Sequence, residues 1–154
     1  MEKKDPYALI KDAEIHLDEF IQWQIEYYIT GNFRDFAEST GRAQDVFKYA
    51  ALLYPRFILV EGCVVLSDHY HKENWEEWRK THGRFQTAAA VNHVHVEDYL
   101  RADYEGTSAL EKELGALLAF FWQMAANQQF PDTPVKIEYD GEVIHIFQED
   151  DNIS

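Results

Sequence analysis

Apolar residues recur at helical intervals through the first fifty positions of this chain. After Asp5-Pro6, the residues Ile10, Leu17, Ile21, Ile25 and Tyr28 follow at three-, four- and seven-residue spacings, with Glu14, Asp18 and Glu26 near the edges of the stripe. Asp accepts orphan amide hydrogen bonds at a helix start, and Pro in the first helical position loses no needed donor. The pattern predicts a helix from about residue 5 to Ile29, broken at Gly31-Asn32. Asn32 caps a second predicted helix whose buried stripe is Phe33, Phe36, Ala43, Phe47, Ala50 and Tyr54, interrupted weakly at Gly41.

Pro55 ends that helix, and the run from Phe57 to Leu66 is apolar nearly all round. Its length and its neighbouring helix favour a buried helix, the alternative being a strand broken at Glu61-Gly62. His71 to His82 reads as a short polar helix with Trp75 and Trp78 on one face, closed by Gly83. Val91 to Val96 alternates like a strand, whereas Glu97 to Tyr104 has a helical pattern. Ser108 and Glu111 form a capping box, and the strongest helix follows, with Leu110, Leu114, Leu117, Leu118, Phe121 and Ala125 along one side up to Phe130-Pro131.

The period then changes to two. Val135, Ile137 and Tyr139 alternate before Asp140-Gly141, and Ile144 and Ile146 alternate after it, the pattern of a hairpin with a two-residue turn. A turn at Asp140-Gly141 pairs Ile137 with Ile144 and Val135 with Ile146. A lone hairpin is marginal in water, so its apolar face must dock on helices, and the ladder gains a third strand from residues 91–96 or from another chain. The predicted architecture is mainly α: a compact, bundle-like single domain over residues 1–154, with a helical core at about 5–130, a C-terminal β-hairpin at about 135–148 and a short acidic tail at 149–154. With residues 91–96 as a third strand, the class becomes α+β.

Charge changes the picture. Across 154 residues there are 28 acidic and 14 basic side chains, a net charge of −14, yet 15% of the residues are aromatic. A disordered acidic chain is poor in large apolar groups, so this one folds and presents a negative surface. Residues 107–154 carry nine acids against Lys112 and Lys136 alone, which is half of the net charge. Such a surface repels phosphate backbones and anionic lipid, arguing against direct nucleic-acid or membrane binding, and steers basic partners inward at low salt. Acidity that serves solubility alone is the plainer explanation. The longest apolar stretch, Leu114 to Ala126, contains Gln123 and is too short to span a bilayer. With no signal-peptide pattern after Met1 and only one cysteine, Cys63, the chain reads as cytoplasmic and free of an internal disulfide framework.

Histidine supplies the best local chemistry. If residues 91–97 are extended, the period of two puts His93, His95 and Glu97 on one face, where two imidazoles and a carboxylate can meet a divalent metal such as zinc. His69 and His71 are weaker additions. A helix there would separate positions two apart by about 200° and dissolve the site. Glu61, inside the apolar run, is a weak catalytic candidate: burial would raise its pKa toward neutrality, unless it reaches water or pairs with a base such as Arg56. In a helix it would stack with Val65 and His69. Cys63 is a buried structural thiol by default. Trp75 and Trp78 suit a partner-binding anchor or the core, and Glu149, Asp150 and Asp151 suit an electrostatic contact.

The chain has no Gly-x-Gly-x-x-Gly, phosphate-binding loop, Gly-x-Ser-x-Gly elbow, His-Glu-x-x-His or Cys-x-x-Cys. The sequence therefore favours an interaction protein, an inhibitor or immunity-type protein for a basic partner, over an enzyme. The runner-up is a metal-dependent enzyme or metal binder built on His93, His95 and Glu97, and the hairpin edge with the aromatic surplus suggests a homodimer.

Overall fold

The computed structural model describes residues 5–99 and 110–149. Asp5 starts α1 (Pro6–Glu14) as expected, its carboxylate accepting from the Ala8 amide at 2.8 Å. The single helix expected to reach Ile29 is instead two, because the chain turns a corner before α2 (Asp18–Glu26). There the amides of His16 and Leu17 reach back to the carbonyls of Ala13 and Glu14, tightening the end of α1. The corner delivers Phe20 into an aromatic cluster with Trp23, Phe33 and Phe36.

The second expected helix is also split. Asn32 and Asp35 cap α3 (Phe33–Thr40) reciprocally, each side chain bonded to the other's amide. The hydroxyls of Ser39 and Thr40 then bond back to the carbonyls of Asp35 and Phe36, and Gly41 adopts an extended conformation. A new helix, α4 (Ala43–Leu53), begins after Arg42.

Residues 57–66 are not a helix. They form a β-hairpin, β1 (Phe57–Val60) and β2 (Cys63–Leu66), turning on Glu61 and Gly62, both with positive φ, at 50° and 78°. β-Branched Ile58, Val60, Val64 and Val65 favour strands, while burial of β2 on both faces removes the alternation that would have revealed it. After a 3₁₀ turn, α5 (Lys72–Arg79) and α6 (Arg84–Val91) lead to β3 (Val94–His95) and a second 3₁₀ turn at Val96–Asp98. The helix expected at 97–104 is thus a 3₁₀ turn as far as Asp98, and its part from residue 100 onward lies outside the described residues, as does Ser108 of the expected capping box.

Helix α7 (Glu111–Gln129) forms as predicted, but its buried side is shifted to Gly115, Leu118, Ala119, Trp122, Ala125 and Ala126. The sequence stripe recorded only one of the two surfaces α7 serves: Leu114 and Leu117 line a groove with Leu9 and Leu17, while Trp122 fills the core beneath the sheets.

The C-terminal hairpin comprises β4 (Lys136–Tyr139) and β5 (Val143–Phe147), and β3 pairs with β5 to give the order β3-β5-β4, antiparallel throughout. The fold is mainly α with two small antiparallel sheets, an α+β arrangement. The hairpin register differs from expectation by two residues: Ile137 faces Ile146 and Tyr139 faces Ile144. The Asp140 carboxylate accepts from the amides of Glu142 and Val143, which makes Asp140 the residue before the turn and places Gly141, at φ 108°, first within it. A shift of two leaves each side chain on its expected face, so Ile137, Ile144 and Ile146 still enter the core.

The open sheet edges are closed by side-chain amides. The tight turn makes Val60 and Cys63 a hydrogen-bonded pair, so the polar backbone of Val64 and Leu66 points away from β1. Asn92, 1% exposed, donates to the Val64 carbonyl (2.8 Å) and accepts from the Leu66 amide (2.9 Å). Gln148 accepts from the Val64 amide and donates to the Gly62 carbonyl. From α7, Gln129 bridges the Phe57 amide and Pro55 carbonyl, and Gln123 the Ile137 amide and Val135 carbonyl. Removing the Asn92 bridge leaves two buried backbone groups without partners, at about 1–3 kcal/mol each. Asn92→Ala should therefore lose about 2–4 kcal/mol in urea unfolding, and a loss below about 0.5 kcal/mol would contradict this role.

Candidate functional site

Histidines gather on the outer face of the three-stranded sheet. The pairing of Val94 with Ile144 and His95 with Val143 brings His93 across from His145, while alternation keeps His93 and His95 on one face. The His93 and His95 Nε2 atoms are 3.2 Å apart, and the His93 and His145 rings are 5.8 Å apart. Carboxylates stand behind them: Asp140 Oδ2 is 2.6 Å from His145 Nε2, and Glu142 Oε1 is 4.0 Å from His95 Nδ1. The two amides that Asp140 accepts, with His145, hold its carboxyl well below the usual range.

The expected set of His93, His95 and Glu97 is only partly assembled. The extended run stops at His95, Glu97 enters the 3₁₀ turn, and among the described residues no hydrogen bond or ion pair joins it to either imidazole. His69 is spent on the Val91 carbonyl, at 3.2 Å from Nδ1, and His71 sits exposed at the cap of α5. Among the described residues, no three His, Cys, Asp or Glu side chains already stand at the spacing of a closed metal site. His145, Asp140 and Glu142 were missed, although a hairpin with residues 91–96 beside it contained the information: antiparallel pairing of that strand with Ile144 places His145 next to His93.

Glu61 is a turn anchor rather than a buried acid. Its carboxylate accepts from Trp75 Nε1 (3.0 Å) and Arg79 Nε (2.7 Å), and its carbonyl accepts from Arg84. The partner is Arg79, not Arg56. The side chain is 48% exposed, and the Arg79 and Trp75 hydrogen bonds hold its pKa below the ordinary value, opposite to the burial expectation. Its left-handed backbone strains a non-glycine residue, and the three bonds fix the turn against α5 and α6. Burial pushes the neighbouring Cys63 thiol up, as suits an inert core residue.

The two tryptophans have separate roles. Trp75 is buried against Cys63, Val65 and Ala88, whereas Trp78 is half exposed with its ring against His82. Glu149 is exposed, and Asp150 and Asp151 lie outside the described residues. The largest surprise is α4. Its predicted buried stripe of Ala43, Phe47, Ala50 and Tyr54 is exposed, Phe47 at 79%, and no residue of the helix is buried. Its C-terminal end is moored to α7, through Trp122 Nε1 to the Leu52 carbonyl and the Tyr54 hydroxyl to Gln128.

No protein family, curated protein or solved structure matches this chain. Among the described residues, no helix is long and apolar enough to cross a membrane.

Because Glu61 has a lowered folded pKa, the stability it contributes is present above its unfolded value and is lost as pH falls through the folded one. The stability gap between wild type and Glu61→Gln should be open at pH 7 and close as pH drops below about 4.5. Urea midpoints across pH 3 to 7 read this directly, and a gap that is constant over the range would contradict the assignment.

Proposed function

We propose that this chain is an interaction protein, of the inhibitor or immunity type, that engages a basic partner through the exposed apolar surface of its N-terminal helices. The observation that carries the reading is α4: an amphipathic stripe readable in the sequence, Ala43, Phe47, Ala50 and Tyr54, is exposed among the described residues, with only Tyr54 bonded to α7. Among the described residues, every large exposed apolar side chain except Leu59, Trp78 and Met124 falls within residues 5–54. Single exposed apolar residues are ordinary, but their concentration on one section of a chain is a feature of docking surfaces.

Charge selects the partner. Residues 5–54 carry nine acids against four bases. Three of those bases, Lys11, Arg34 and Arg42, are already paired with acids three or four positions along. The apolar patch is therefore flanked by more acidic than basic side chains, which favours a basic partner over a second copy carrying the same charge. The total net charge of −14 adds attraction at long range. Trp78 offers a further exposed aromatic contact, and the acidic end at Glu149, Asp150 and Asp151 a further electrostatic one.

Phe47→Asp is the test, because the residue is exposed and its replacement should alter stability by no more than about 0.5 kcal/mol. Capture from lysate of the chain's own source should retain a basic protein at low salt and release it at high salt. The purified pair should then weaken at least about tenfold with Phe47→Asp. Undiminished binding by the variant would contradict this surface. Wild-type self-association in sedimentation, abolished by the same substitution, would replace the basic partner with a second copy.

A further inference from the structure

We propose that His93, His95 and His145 form a three-nitrogen site for a zinc-like divalent cation on the outer face of the β3-β5 pair. Two of the nitrogens are already placed. Ligands at about 2.0–2.1 Å from one tetrahedral zinc stand about 3.3 Å from each other, and the Nε2 atoms of His93 and His95 are 3.2 Å apart. A plain hydrogen bond between the two rings gives a similar distance, so the surrounding groups decide between the readings.

Those groups point to free lone pairs. The 2.6 Å contact between Asp140 Oδ2 and His145 Nε2 puts the His145 proton on Nε2, leaving Nδ1 as the ligand. Asp140 is itself held by two backbone amides, so it orients that ring as carboxylates orient metal-bound imidazoles. Glu142 faces His95 from beyond hydrogen-bond distance. Its carboxylate is 4.0 Å from Nδ1, an atom that is buried without a hydrogen-bond partner, and a proton there leaves Nε2 free to face His93. His95 donating from Nε2 to His93 would instead turn a bare Nδ1 lone pair toward a carboxylate.

The third nitrogen completes the set by a swing of the His145 ring about its Nε2 contact with Asp140. The ring is 5.8 Å from that of His93, on the adjoining strand and half exposed, so it can tilt toward His93 without repacking the core. The acids flanking this seam, together with the negative surface, favour a cation there. Three imidazoles leave a fourth position open, as in sites that bind water or a further ligand.

Zinc chloride titrated calorimetrically into the full chain, free of any affinity tag and stripped with chelator, tests the site. One zinc per chain is expected. His93→Ala, His95→Ala and His145→Ala should each weaken binding by at least tenfold, Asp140→Asn by about tenfold while keeping all three ligands, and His69→Ala/His71→Ala should leave it unchanged. Cobalt substitution should give the visible absorption of a four-coordinate ion, and far-UV circular dichroism of each variant confirms that its fold is kept. Absence of saturable binding would overturn the proposal. Binding that survives His145→Ala, or that is lost in the His69/His71 control, would overturn it equally.

Discussion

Short strands create a debt of hydrogen bonds that this fold settles with carboxamides. Strand β2 has four residues, all buried, and among the described residues only β1 pairs with it. Its far edge would leave polar backbone stranded in the core unless something bonded to it. Asn92 and Gln148 do so, taking the place of a third strand. The requirement dictates the layout. Asn92 caps the end of α6, and Gln148 follows the last strand, so α6 and the C-terminal sheet are both drawn onto β2. Gln123 and Gln129, on α7, hold the two hairpins to one helix. Trp122 between them fills the space so defined.

Much of this was legible in the sequence, and the failures have physical causes. The Asp5 and Asn32 caps, α7, the C-terminal hairpin and a third strand near residue 94 followed from local chemistry that tertiary packing did not oppose. Residues 57–66 were misread because a strand buried on both faces shows no alternation, and because Glu61 is an unusual residue for a left-handed turn position. Its stabilising partners, Trp75 and Arg79, lie 14 and 18 positions away, beyond any local pattern. The hairpin register moved by two because the Asp140 side chain, rather than Gly141 alone, set the turn. The candidate site was half legible for the same reason: His93 and His95 are neighbours in the chain, while His145 joins them only through strand pairing.

The two halves of the molecule use their apolar residues differently. The core is drawn mainly from residues 57–146, with Leu9 and Phe20 the only large side chains before that range that are buried among the described residues. The N-terminal helices have caps, aromatic contacts and regular geometry, yet leave much of their apolar surface open. Periodicity showed that α4 has an apolar stripe. It could not show whether the chain itself supplies a cover, because a stripe facing a core and a stripe facing a partner have the same spacing. The histidine seam lies in the other half, on the sheet rather than on the helices. A contact made by α4 and a cation held by β3 and β5 are therefore separable functions of one fold.

Side-chain amides take the place of neighbouring strands in this fold. Native-state hydrogen exchange of the backbone amides of Phe57, Val64, Leu66 and Ile137 tests it most directly, since each donates to a carboxamide rather than to a strand. The account predicts that all four exchange within about tenfold of the central amides of α7, by the same global opening. Exchange of these four at the rate of open loop amides, with α7 still protected, would contradict it.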